Sequence, residues 1–159
     1  MINSLLVAIN SSADISETVA LLKNISIPAT AKAFVVCVVS PEFALVPGLN
    51  DDVRMEMEEY PAAANEEAAA HQLVGTIVAS LKAIGIEAVG ELLSGDPAKE
   101  IVKHAEIHNC DLIVMAHHHL SWFGRLRDPS VCNAVIERTG CPVLVVTSRP
   151  QPSRGTQAS

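Results

Sequence analysis

Aromatic side chains are scarce in this chain: one Trp, one Tyr and three Phe among 159 residues. A core must therefore rest on Val, Ile, Leu and Ala. That palette favours buried parallel strands under helices over an aromatic-rich sandwich. Positive charge is scarce too. Against 18 Asp and Glu stand 11 Lys and Arg, a formal net charge of −7. This argues against nucleic acid as a partner, because such a surface needs a basic stripe. No run approaches the roughly 20 apolar residues of a membrane span. The opening "MINSLLVAINSS" has no Lys or Arg ahead of its short apolar run, so it does not read as a secretory signal. The four cysteines, Cys37, Cys110, Cys132 and Cys141, form no CxxC pair and no zinc-finger spacing. A reducing cytoplasmic compartment is the simplest expectation.

What is present is a regular alternation. "SLLVAI" (Ser4 to Ile9) and "AFVVCVV" (Ala33 to Val39) are apolar runs of strand length, with Cys37 expected in the core. Between them Asp14 is placed to cap a helix carrying Ile15, Val19, Leu22 and Ile25 at helical spacing. Ser40 to Pro61 reads as a long connection outside the core. Pro61 then opens a long helix with one stripe of Ala70, Leu73, Val74, Ile77, Val78, Leu81 and Ile84, stopped by Gly85. Glu87 to Leu93 is a more polar strand, suited to a sheet edge. In "SGDPAKEIV", Asp96 is the N-cap, Pro97 the first helical residue and Glu100 a first-turn acid. "DLIVMA" is a fourth strand. Ser130 is expected to cap a helix with Val131, Val135 and Ile136 facing inward, and "PVLVV" (Pro142 to Val146) is a fifth strand. The expected domain is 1–148, followed by a disordered tail over 149–159.

Strands alternating with helices imply an α/β fold with a parallel sheet covered on both faces. In such open sheets ligands bind beyond the carboxyl ends of the strands, where the strand order reverses. The loops after strand one (Asn10, Ser11, Ser12) and strand four (Ala116 to Ser130) are the candidates. The second holds "HHHLSWFGRLRDPS", with His117, His118 and His119 in a row. His117 and His119 can converge on a metal, but no third ligand is identifiable, and zinc wants four. No metal site is expected. His104 and His108, four apart on a helix, have metal-binding spacing but flank the stripe of Ala98, Ile101, Val102 and Ala105, where boundary histidines are common. Serines stand near the triplet, yet there is no GxSxG elbow and no triad order. Walker A and GxGxxG patterns are absent, and the loop has only Gly124. Ser130 at a helix start remains a plausible anion contact, with Arg125 and Arg127 nearby.

"LLVAINSS" at the first strand, "SGDPAKEIVKHAEIHNCDLIVMAHH" in the second half and "CPVLVV" at the end together resemble the universal stress protein family over nearly the whole chain. The resemblance implies a Rossmann-like open five-stranded parallel sheet in order 3-2-1-4-5, with helices on both faces. One branch of the family binds ATP through a Gly-x-x-Gly pair followed, further on, by Gly-Ser or Gly-Thr. Mapped onto this chain, those glycines fall on Ala116, His119 and Pro129, and only Ser130 is kept. Ala116 adds a methyl group, His119 a bulky ring, and Pro129 removes a backbone donor. An Asp that often ends the first strand in that branch is Asn10 here. The loop "AHHHLSWFGRL" resembles the UspA-like branch, which lacks the glycines.

The resemblance therefore implies a non-enzymatic stress-response protein without cofactor. The alternative is a module that holds ATP or AMP with Mg²⁺ through Asn10, Ser11, Val39, Ala116, His117, His119 and Ser130. It also implies a homodimer joined along the last strand, Pro142 to Val146, whose apolar edge a monomer would have to protect. No catalytic residue, nucleic acid or membrane is expected. Cys110 and Cys141 each precede adjacent strands in this topology and should lie close together.

Overall fold

The computed structural model describes residues 1–9, 13–39, 61–117 and 129–147, with only the backbone described for 13, 14, 61–66, 117, 129 and 130. The strands are β1 (Ser4–Ala8), β2 (Lys32–Val39), β3 (Glu87–Ser94), β4 (Leu112–His117) and β5 (Val143–Thr147). The helices, numbered in chain order, are α1 (Ala13–Asn24), α2 (Pro61–Ala83), α3 (Pro97–Ile107) and α4 (Pro129–Arg138). All the strand pairs are parallel, and the sheet runs β3-β2-β1-β4-β5. The expected fold and strand order are both present. The connection over 40–60 and the tail over 149–159 lie outside the described residues.

β1 is central, with Leu5, Leu6 and Val7 fully buried. Period-two alternation sends neighbouring residues to opposite faces. Leu5, Val7, Val35, Val39 and Val114 pack on one face with Leu22 of α1 and Ile77 and Leu81 of α2. Leu6, Val36, Val38, Ile113 and Met115 pack on the other with Ile101 and Ala105 of α3 and Val135 of α4. Each face buries an aliphatic layer over β1, β2 and β4, which is why those strands read as apolar runs and not as alternating ones.

Local chemistry sets the element ends. Asp96 is extended (φ −69°, ψ 119°), and its side chain accepts the N–H of Lys99 at 2.8 Å; Pro97 opens α3. Gly85 stops α2 at φ +87°, a left-handed conformation that side chains resist. Inside β3, a Cβ on Gly90 would collide with Cγ1 of Val74. The absent side chain lets α2 lie directly on the edge strand.

Two helices start two residues earlier than expected. α1 begins at Ala13, which puts Asp14 inside the first turn, and α4 begins at Pro129, which puts Ser130 inside it. Proline's fixed φ suits the first helical position, so Pro129 starts the helix that Ser130 was expected to cap. The inward face of α4 also differs. Val135 is fully buried and Cys132 nearly so, while Ile136 is 51% exposed. A ten-residue helix on a sheet rim buries a narrow stripe; Cys132 and Val135, three apart, fill it.

Candidate functional site

The strand order reverses between β1 and β4, the neighbours in register from Leu5 opposite Leu112 to Ala8 opposite Met115. β2 lies on the other side of β1, with Val36 opposite Ala8. Beyond these carboxyl ends opens a crevice lined by Ala8 and Ile9 of the β1 end, Val38 of β2, Met115 and Ala116 of β4, and Val131 of α4. Pro97 and Ile101 of α3 close its floor. Every side chain in this described lining is apolar. The lining can exclude water and accept a flat apolar surface. It supplies neither charge nor a polar hydrogen-bonding side chain.

The candidate residues fall at different distances from this crevice. Ala116, half-buried and opposite Val146 in register, lines it. Val39 ends β2 but belongs to the opposite core, with Val35 and Leu22. Its neighbour Val38 faces the crevice instead, because consecutive strand residues alternate sides. His117 closes β4 opposite Thr147, and Ser130 stands in the first turn of α4. Asn10, Ser11 and His119 lie outside the described residues. Ile101 and Met115 also line the crevice, although the sequence places them only on a helix stripe and in a strand. The signal that could have found them is position: Met115 shares a strand face with Ile113, and Ile101 lies one turn after Pro97, where α3 starts beyond the carboxyl end of β3.

At the opposite, amino-terminal end of the sheet, Cys110 and Cys141 lie close together, as the topology implied. The Cys141 thiol donates to the carbonyl of Cys110 at 3.1 Å, and the Cys110 sulfur is 3.5 Å from the Ser4 hydroxyl. None of the four cysteines is in a disulfide. Burial pushes the thiols of Cys110, Cys132 and Cys141 above their ordinary range, and for Cys141 the neighbouring Cys110 and Asp111 push the same way. A raised thiol is a poor nucleophile at neutral pH.

Comparison with known proteins agrees with this geometry. The sequence profile of the universal stress protein family matches residues 1–147. A universal stress protein of Methanocaldococcus jannaschii, MJ0531, is 44% identical over 62 residues, which is 39% of this chain and 36% of that one. The match thus spans about a third of that relative's length. Among solved structures, the hypothetical protein MJ0577 superposes with a TM-score of 0.69 at 23% identity, over 94% of this chain and 98% of that one. A universal stress protein family member from Arabidopsis thaliana, solved with AMP bound, gives 0.62 at 16% identity over 96% and 97%. At such identities the superpositions speak for the fold alone. The sheet order, the crevice at the reversal point and the profile match over residues 1–147 lead to one assignment: this chain belongs to the universal stress protein family.

Proposed function

We propose that this universal stress protein is a non-enzymatic, cytoplasmic stress-response protein that works as a homodimer through protein contacts and does not hold ATP. The observation that carries the reading is the apolar crevice. A triphosphate needs backbone donors brought close through glycine, or cationic side chains. The described lining offers methyl and methylene groups, with Ala116 where the nucleotide-binding pattern has glycine. Pro129, at the start of α4, brings no N–H to a helix terminus that would otherwise face an anion. The raised thiols and the absence of a catalytic motif support a role without covalent chemistry. Among the described residues no helix is long and apolar enough to cross a membrane.

Support for the dimer comes from β5. It pairs with β4 on one side only, and Val143, Leu144 and Val145 stay partly exposed along it. Continuing the sheet, or packing this edge on a second copy, would cover that surface. Light scattering behind size exclusion checks it: the expected mass is twice the 16.9 kDa of one chain. A single-chain mass at micromolar concentration removes the dimer.

The second reading is an adenine-nucleotide module that holds ATP or AMP with Mg²⁺ through Asn10, Ser11, Ala116, His117, His119 and Ser130, with Val38 in place of Val39 at the end of β2. The AMP-bound Arabidopsis relative, which shares the fold, favours it. Calorimetry separates the two. No heat is expected from ATP with Mg²⁺ or from AMP. Low-micromolar binding of either overturns the leading reading.

A further inference from the structure

A second group of side chains lies away from the crevice, where α3 crosses the outer strand. His104 and His108 are four residues apart on α3 and so share a helix face. Their ring centroids are 6.1 Å apart. Beneath them runs β3, whose odd-numbered residues, Glu91 among them, face α3. The Glu91 carboxylate approaches His104 Nδ1 at 3.7 Å. One donor atom from each of Glu91, His104 and His108 lies within 4.8 Å of the other two.

From this arrangement we infer that Glu91, His104 and His108 form a binding site for a divalent transition-metal ion, best matched to zinc, that ties the edge strand β3 to α3. The first support is His104 itself. Its side chain is only 14% exposed, and its Nδ1 is buried with no hydrogen-bond partner among the described residues. A buried imidazole nitrogen left unpaired is costly, and a bound metal ion would satisfy it. The opposite nitrogen, Nε2, lies 3.8 Å from the Glu100 carboxylate. Metal-binding histidines characteristically present their second nitrogen to a carboxylate, which fixes the tautomer and raises ligand basicity. Glu100 stands one helical turn before His104 and is placed for that role.

His108 is held independently. Its ring stacks on Phe34 with centroids 3.8 Å apart and planes 11° from parallel. Stacking occupies the ring faces and leaves the edge nitrogens free to ligate. Lys32 is 5.5 Å from the Phe34 ring centroid and pairs with Glu87 at 3.9 Å, while the Glu91 carboxylate approaches His104. Glu91 is the adjustable ligand: its side chain is 55% exposed, free to swing in as the donors close to the roughly 2.0–2.2 Å bonds zinc requires. Two imidazoles and a carboxylate make a donor set of borderline softness. It suits zinc, admits Ni²⁺ and Cu²⁺, and disfavours Ca²⁺ and Mg²⁺. Three protein ligands leave the fourth tetrahedral position to water.

The test is calorimetric titration of EDTA-treated protein with Zn²⁺, in the full chain and in a chain carrying His117→Ala, His118→Ala and His119→Ala. The triple substitution removes the other histidine cluster from the count. One Zn²⁺ per chain is expected to bind in the triplet-free chain. His104→Ala or His108→Ala should weaken it by roughly a hundredfold, and Glu91→Gln or Glu100→Gln by about tenfold. Circular dichroism of the metal-free variants checks the fold. Should His104→Ala disturb packing, the exposed Glu91→Gln and the rim residue His108→Ala still decide. Absence of binding in the triplet-free chain, or affinity unmoved by both His108→Ala and Glu91→Gln, overturns the site.

Discussion

The Oδ2 of Asp111 accepts the backbone N–H of Asn3 at 2.8 Å, and that of Ser4 at 3.1 Å, across more than a hundred residues of chain. The N–H of Asp111 donates back to the Ser4 carbonyl at 2.8 Å. These amide donors hold the Asp111 carboxyl below its ordinary value of 3.8, with the chain's own amino terminus adding in the same direction. A carboxyl depressed in the folded state stabilises the fold fully above its unfolded pKa. That stabilisation is lost as pH falls through the lower, folded value. Asp111→Asn should therefore lower Tm near neutral pH and flatten the acid limb of a Tm-against-pH curve. A variant whose acid limb matches the parent's would show that Asp111 does not carry it.

Gly90 of β3 lies directly against Val74 and Val78 of α2. Gly90→Ala has to push Val74 aside, an overpacking defect expected to cost about 1–3 kcal/mol in urea unfolding. Pairing it with Val74→Ala, which vacates the space, should recover part of the loss. If the double variant is no better than the sum of the singles, the collision is not the cause.

At the start of α3, Asp96→Ala removes the acceptor for the Lys99 N–H and should cost about 1 kcal/mol. The Arg138 contact to the same carboxylate, at 3.9 Å on the surface, adds little. Asp96→Asn, which keeps an acceptor oxygen, should cost clearly less than Asp96→Ala. Equal losses would point to charge instead of capping.

The thiols give a chemical prediction. Cys110, Cys132 and Cys141 all sit above the ordinary thiol range, chiefly through burial. Alkylation by iodoacetamide, followed residue by residue with mass spectrometry, should be slower at neutral pH than for a small-molecule thiol and should accelerate toward alkaline pH. Rapid neutral-pH labelling of Cys141 in the folded chain would contradict this.

Much of the fold was legible because β1, β2 and β4 are buried on both faces and so appear as unbroken aliphatic runs. The α3 start was legible for a different reason: Asp96, Pro97 and Glu100 each state a helix N-terminus in their own chemistry. Ile136 was misjudged because periodicity marks a face but not its width, and width is set by how much sheet lies beneath. Buried Thr18 was missed for the converse reason: a hydroxyl inside an apolar stripe carries no periodic signal. Gly90 carried a signal, a glycine within a strand, but which helix approaches it is tertiary information. At the crevice, the place of Ala116 at the end of β4 was readable, whereas the fact that Val38 and not Val39 lines it depended on which way each points. His104 and His108 were visible as a pair. Glu91, on another element, was not, since only the strand order brings it beneath them.

The central place of β1 also constrains the order in which the protein can be made. Its partner on one side, β2, follows directly, but its partner on the other, β4, begins only at Leu112. Until that segment leaves the ribosome, the Leu5 to Ala8 edge has open amides and carbonyls facing solvent. Such an edge is a template for pairing with another chain. A fragment cut before Asp111 lacks both the covering strand and the carboxylate that gathers the Asn3 and Ser4 amides. Its hazard is not a missing ligand site but a sticky, half-built sheet, and the last third of the chain acts as the cover for the first strand made.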